Sequence, residues 1–268
     1  MKRMLVAIGL CVGVVAVSAA ATPLVVATHA VYAEFAEHVG GEHIEVESII
    51  PSGFCPAHYD LRPSNVAAVV AADVVFYSGM EVWMDTLTRA AGGDTRVERI
   101  RGTWNTPPAA AERVEEIKEV LSEVYPEHAD TFAANARAYQ AELSALGEEL
   151  RTQAAERSVE EIAVLCIAWQ ESFVSWLGFE VAATYPPPEN LTVRDVQSLR
   201  EQGEQAGARL VVDNLQSGIG FGGKLAAELG AVHVVLSNFP GAMPDTATVL
   251  DLLSRNAREL LSALEPLE

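Results

Sequence analysis

Stretches with strand character and stretches with helix character alternate along the whole of this chain, with a single long interruption. PLVVAT has the composition of a buried strand, and a helix is predicted over 29–39, where Val31, Phe35 and Val39 recur at helical spacing. HIEVESII alternates like a strand. A helix opening at Pro63-Ser64 (PSNVAAVVAA), the strand DVVFYS, the helix EVWMDTLTRA and the short strand RVERI come next. From Pro108 to about Arg157 the composition is helical throughout, with one break at Pro126, which fits the first turn of a second helix. The alternation then resumes: IAVLCI, a helix to Trp176, FEVAAT, a helix from Thr192, RLVVDN, GKLAAELG, AVHVVLS and a closing helix TATVLDLLSRNARELLSAL.

This order implies an α/β fold with two parallel-sheet lobes. A helix of about 28 residues, near 40 Å long, exceeds what a crossover inside one lobe needs, so it reads as a long backbone helix joining the lobes. The expected division is a leader at 1–21, an N-terminal lobe at 22–125, the linker helix at 126–157 and a C-terminal lobe at 158–268. Parallel sheets receive ligands beyond the carboxyl ends of their strands. Loops leaving those ends carry His29, Cys55, His58, Cys166, Asn214 and Ser237, which points to one cleft site between the lobes.

The leader itself starts basic (Lys2, Arg3), continues apolar from Met4 to Val17 and reaches Ala19-Ala20-Ala21, the order of a secretory signal peptide. An uncleaved membrane anchor is the other reading of that run. Cys11 lacks the small residues before it that a lipid-attachment cysteine requires. Beyond the leader, roughly 245 residues are enough for real cores. Half the chain is apolar, which excludes a disordered protein. A formal charge of −19 argues against a nucleic-acid partner and is compatible with attraction of cations. The location expected is outside the cytoplasmic membrane, where the two remaining cysteines, Cys55 and Cys166, are free to pair.

Four fragments, in order, resemble the zinc and manganese solute-binding proteins of ABC importers, a family of two α/β lobes joined by a rigid helix. They are VVATHAVYAEFAEHVGGEHIEVESIIPSG, RPSNVAAVVAADVVFYSG, the helical PPAAAERVEEI with YPEHADTFAANARAYQAELSAL, and GAVHVVLSNFPG. The resemblance covers nearly all of the chain after the leader. It implies a monomeric receptor that delivers a transition metal ion to an ABC permease and its ATPase, with zinc as the first expectation and manganese or copper as alternatives. It also implies a ligand set that this chain lacks. The family's first histidine falls on Ala57 of PAHYDLRPSN, its second on Gly102 of GTWNTP, its third near Cys166 or Ile167, and its carboxylates near Asn214 and Ser237.

The residues themselves offer a substitute set. Cys55, His58, Cys166 and His29 would supply two sulfurs and two nitrogens, a combination suited to zinc or Cu(I). Gln170 or Asn214 would add a weaker oxygen donor. A Cys55–Cys166 disulfide is the competing reading, and it would tie the lobes across their cleft. His38, His43, His128 and His233 lie within predicted helices or strands and read as surface or packing residues. GIGFGG, 218–223, satisfies Gly-x-Gly-x-x-Gly between a strand and a helix. The next strand ends in SNF, without the acidic residue that would hold a ribose hydroxyl, so the motif reads as a close turn whose N–H groups could bind an anion. That possibility keeps a second receptor reading open, for an oxyanion, a metal chelate or a small organic ligand, with Tyr59, Trp83, Trp104, Trp169 and Tyr185 as candidate lining. No nucleophile elbow or metalloprotease helix occurs, so binding rather than catalysis is expected.

Overall fold

The apolar runs become the central strands of two parallel sheets in the computed structural model, which describes residues 22–93 and 95–265. The expected signal peptide, 1–21, lies outside the described residues. The first sheet is built from β1 (Leu24–His29), β2 (Glu45–Ile50), β3 (Val74–Tyr77) and β4 (Arg96–Arg99), in the order β2-β1-β3-β4. Between them run α1 (Ala30–Gly40), α2 (Pro63–Ala71) and α3 (Met84–Ala91). After α4 (Pro107–Val124) and α5 (Ala129–Ala155) come β5 (Ala163–Ile167), α6 (Glu171–Leu177), β6 (Glu180–Tyr185) and α7 (Val193–Ala206). β7 (Leu210–Asn214), α8 (Gly220–Leu229), β8 (Val232–Leu236) and α9 (Val249–Ser262) complete the second sheet, in the order β6-β5-β7-β8.

The two orders are the same topology repeated, and composition explains them. LVVATH, AVLCI and LVVDN are covered on both faces and sit inside the sheets, as near-continuous apolar runs must. EVESII and RVER keep polar residues and form edges. In each sheet the winding reverses between neighbouring strands, β1 and β3 in one, β5 and β7 in the other. The crevice beyond the carboxyl ends at such a reversal is where α/β sheets take ligands.

The long helical segment is a hairpin followed by a beam. A short 3-10 turn at Pro126–His128 separates α4 from α5, so the break predicted at Pro126 stands just ahead of the longer helix. The 27 residues of α5 span about 40 Å. Its buried side chains (Phe132, Ala136, Tyr139, Leu143, Gly147, Leu150 and Ala154) recur every three or four residues, one face along the whole length. Its early turns pack on α1 and its later turns on α6 and α9, so it touches both sheets' surroundings. Gly147 allows the start of α4 to close on it: a Cβ there would stand 3.2 Å from Pro107 Cβ. One continuous apolar cluster consequently runs from Val25 and Phe35 through Tyr139 and Leu143 to Phe173 and Leu260, with a separate smaller cluster on the outer side of each sheet. Among the described residues no helix is long and apolar enough to cross a membrane.

Candidate ligand site in the cleft

The loops leaving β2, β3 and β4 meet those leaving β5, β7 and β8 around a cavity of about 350 Å³. Its wall is formed by Cys55, Ala57, Met80 and Trp104 from the first lobe and by Trp169, Asn214, Asn238 and Phe239 among others from the second. The wall carries no charge. Among the described residues, no aspartate, glutamate, lysine, arginine or histidine lines this cavity, in a chain that has 37 acidic and 18 basic residues.

Several of the wall's polar groups are held by hydrogen bonds, three of which cross the cleft. Trp104 Nε1 donates to the Asn238 carbonyl at 3.0 Å, and Asn105 Nδ2 to the Trp169 carbonyl at 3.0 Å. Gln216 Nε2 donates to Ser237 Oγ at 2.9 Å and to the Ser52 carbonyl at 3.2 Å, while its Oε1 accepts from the Asn238 N–H. Asn214 is different. Its Oδ1 accepts from the backbone N–H of Gln216 at 3.0 Å, which fixes the amide's orientation and leaves Nδ2 buried with no partner. Gln170 donates through Nε2 to Asn238 Oδ1 at 2.8 Å, and its buried Oε1 is likewise unpartnered.

The proposed substitute ligands do not come together. Cys55 lines the cavity. His58 ends the one-turn 3-10 helix Pro56–His58 and projects into solvent, so the cavity meets Ala57 instead. Cys166 points the other way: with Val164 it belongs to the central core, while Leu165 and Ile167 face the outer cluster. Strand parity decides this, because alternate side chains leave a strand on opposite faces. Burial, with a smaller contribution from Glu171, pushes the Cys166 thiol up to about 12, far from the thiolate a metal needs. Both cysteines are free, so the disulfide is not formed either. Among the described residues no group of three or more His, Cys, Asp and Glu side chains is placed to hold a metal ion.

His29 lies beneath the cavity rather than on it. Its ring packs against Tyr32, Trp104 and Phe239 at centroid distances of 4.1, 4.7 and 5.3 Å, and neither ring nitrogen has a hydrogen-bond partner. Burial lowers its pKa to about 4, against the opposing pull of the Glu81 carboxylate, so the imidazole is neutral near pH 7. Burial pushes Glu81 upward, but His29 and hydrogen bonds from Thr28 and Ser78 together hold it below the usual carboxylate value.

Two of the three positions where the resemblance places histidines, Ala57 and Gly102, reach the cavity wall, whereas the third, Cys166 or Ile167, is packed in a core. Gly102 has φ +94°, and a Cβ there would collide with the Arg113 guanidinium, itself engaged with the Arg101 carbonyl. The chain has built that corner around a glycine. Of the five candidate aromatics, Trp104 and Trp169 line the cavity, whereas Tyr59, Tyr185 and Trp83 pack in or against the outer clusters. Met80, Gln216 and Asn238 escaped the sequence reading. Met80 and Asn238 come a few residues after strand ends, and that position was the available signal.

The glycine run has a structural explanation. Gly222 donates its N–H to Asp213 Oδ2 at 3.0 Å, and a Cβ on Gly222 would stand 2.5 Å from the same oxygen. His233 Nε2 and Tyr185 Oη complete the carboxylate's shell at 2.9 and 2.8 Å. The place at the start of α8 where a phosphate would sit is filled by the chain's own carboxylate.

Comparison with known proteins agrees with this architecture. The manganese-binding lipoprotein MntA of Bacillus subtilis is 26% identical over 201 residues, 65% of each chain. The zinc-binding lipoprotein AdcA of Streptococcus pneumoniae is 32% identical over 145 residues, 42% of this chain and 29% of its own. The chain thus spans less than two thirds of the length of these curated relatives. The manganese-bound periplasmic metal-binding protein of Candidatus Liberibacter asiaticus superposes with a TM-score of 0.79 over 90% of this chain and 99% of its own; at 14% identity this speaks for the fold. The family model described as zinc-uptake complex component A, periplasmic, matches residues 25–263, and with that match across nearly the whole described chain the protein belongs to this family of uptake components.

Proposed function

We propose that the chain is an extracytoplasmic solute-binding protein that collects its cargo in the interlobe cleft and hands it, as a monomer, to an ABC permease and its ATPase. One observation carries this reading: a family match over 25–263 coincides with a cavity at the carboxyl ends of both sheets, where each sheet's winding reverses. The cargo class favoured by the family and by the relatives' names is a transition metal, zinc first and manganese second. Of the predicted ligands, Cys55 and Asn214 lie on the cleft wall, with the Met80 thioether as a second soft donor beside Cys55. The receptor's parts are taken as a lobe at 22–125, the linker helix at 126–157 and a lobe at 158–268.

Exposed apolar side chains support docking to a membrane partner on the cleft side. Phe54, Val82, Trp169 and Ile219 are the relevant ones, and each sits in a loop a few residues past a strand's carboxyl end. The reading is tested by reconstituting the permease and ATPase of the same organism in lipid vesicles. Cargo-loaded protein is expected to stimulate ATP hydrolysis several-fold. Absence of stimulation by protein purified under native conditions from the source cells sinks it.

A further inference from the structure

We infer that the cleft takes a net-neutral organic molecule with a flat apolar face and an acceptor oxygen, carrying a metal in chelated form or no metal at all. This rests on the receptor reading above and concerns only what that receptor holds.

The wall excludes the alternatives one by one. A bare divalent ion loses its hydration on entering a closed site, and only charged or strongly coordinating side chains offset that loss. Here the wall offers one thiol, one thioether, the hydroxyls of Ser78, Thr103 and Ser217, and amides, with no carboxylate and no imidazole, although the chain is rich in acid elsewhere. An oxyanion finds no lysine or arginine on the wall, and the anion position at the start of α8 is occupied by Asp213. Size agrees. A cavity of about 350 Å³ exceeds the ~30 Å³ share of one water more than tenfold, so an isolated ion would leave it mostly unfilled, whereas organic ligands occupy pockets of about this size.

The remaining features describe the occupant. Trp104 and Trp169 come from opposite lobes and present indole surface to the cavity; Trp169 is 47% exposed, which is unusual for so large an apolar side chain. Asn214 Nδ2, buried and unpartnered at the wall, gains its missing hydrogen bond from an acceptor oxygen on the ligand. Few polar handles on a mostly apolar wall is the pattern of a small-molecule site. A chelator that satisfies the metal's valences with its own donors turns a metal into cargo that such a wall accepts.

The test is tryptophan-fluorescence titration of the full chain with three probes: zinc chloride, 8-hydroxyquinoline, and the neutral zinc complex of 8-hydroxyquinoline. Native mass spectrometry of the protein purified from source cells runs alongside. The expected result is binding of one of the two organic probes at least tenfold tighter than zinc chloride, or a retained organic mass. Preference for the zinc complex assigns a chelate; preference for the free quinoline assigns a metal-free ligand. Trp169→Ala, on an exposed side chain, is expected to weaken that binding at least fivefold with an unchanged Tm, and Asn214→Leu supplies a second variant at the polar contact. Zinc chloride binding more tightly than both organic probes, with only bare metal in the mass spectrum, overturns the inference and leaves the receptor reading standing. No binding of any probe and no retained mass overturns both.

Discussion

One inner strand of each sheet, β1 in the first and β7 in the second, buries an ionisable side chain at or next to its carboxyl end, and the protein treats the two oppositely. Asp213 on β7 receives three hydrogen bonds, from Gly222, His233 and Tyr185. His29 on β1 receives none, although it is 1% exposed. The segment after each strand makes the difference. After β7 a short turn precedes α8, which brings an N–H and a glycine against the carboxylate. After β1 the helix starts at once, so His29 becomes the residue that caps α1, and its side chain makes no capping bond. Glu34 on α1 stands between these extremes: its carboxylate accepts from Tyr139 Oη at 2.7 Å and from the Val249 N–H at the start of α9. The carboxyl edge of a parallel sheet therefore gathers such side chains, and the next few residues decide whether they are satisfied.

The largest effect expected from this contrast is at Asp213. Asp213→Ala leaves His233 and the Gly222 N–H without their acceptor and opens a hole beside α8, at a cost of about 3–5 kcal/mol in urea unfolding. A loss below about 1 kcal/mol would erase the distinction between the two strands.

His29 predicts a pH dependence of definite sign. Its folded pKa of about 4 lies below the ordinary 6.5, so stability is fully present above pH 6.5 and is lost as pH falls toward 4. The contribution is on the order of 3 kcal/mol. His29→Phe removes this acid limb and, because no hydrogen bond is broken, should match or exceed the parent at pH 7. A Phe variant that keeps the full acid limb contradicts the assignment.

Glu34 supplies the opposite slope over nearly the same range. Burial raises its pKa to about 7 against the hydrogen bonds from Val249 and Tyr139, so its contribution is complete below about pH 4.5 and is lost as pH rises through 7. Glu34→Gln keeps one acceptor for both donors and removes the titration. Unfolding curves of the Gln variant between pH 4.5 and 7 are expected to rise more steeply with pH than those of the parent. Curves that superimpose would mean that Glu34 does not titrate there.

The smallest effect concerns the cysteines. Cys55→Ser should change stability by less than about 0.5 kcal/mol, since the side chain is only partly buried at the cavity wall. In the folded protein Cys55 is expected to react with an alkylating reagent and Cys166 only on unfolding. Cys166 alkylated as fast as Cys55 without denaturant, read by peptide mapping, would move Cys166 out of the core.

Much of this was readable in advance. LVVAT, AVLCI and LVVDN announce central strands because burial on both faces leaves no polar positions, and the helical repeat from Phe132 to Ala154 announces a beam with one buried face. The site was less legible. Cys55 and His58 look like a ligand pair by spacing, yet a single 3-10 turn sends one to the cavity and the other to solvent. Cys166 sits next to a strand end, yet parity commits it to the core.

Periodicity and composition, which act through local burial and backbone geometry, determined the two lobes, their sheet centres and the joining helix. Only the tertiary structure decided the character of the cleft. Its wall is made by contacts such as Trp104 with Asn238 and Gln216 with Ser52, between residues 134 and 164 positions apart. Whether a side chain there is left free for a ligand depends on a partner that no local pattern names.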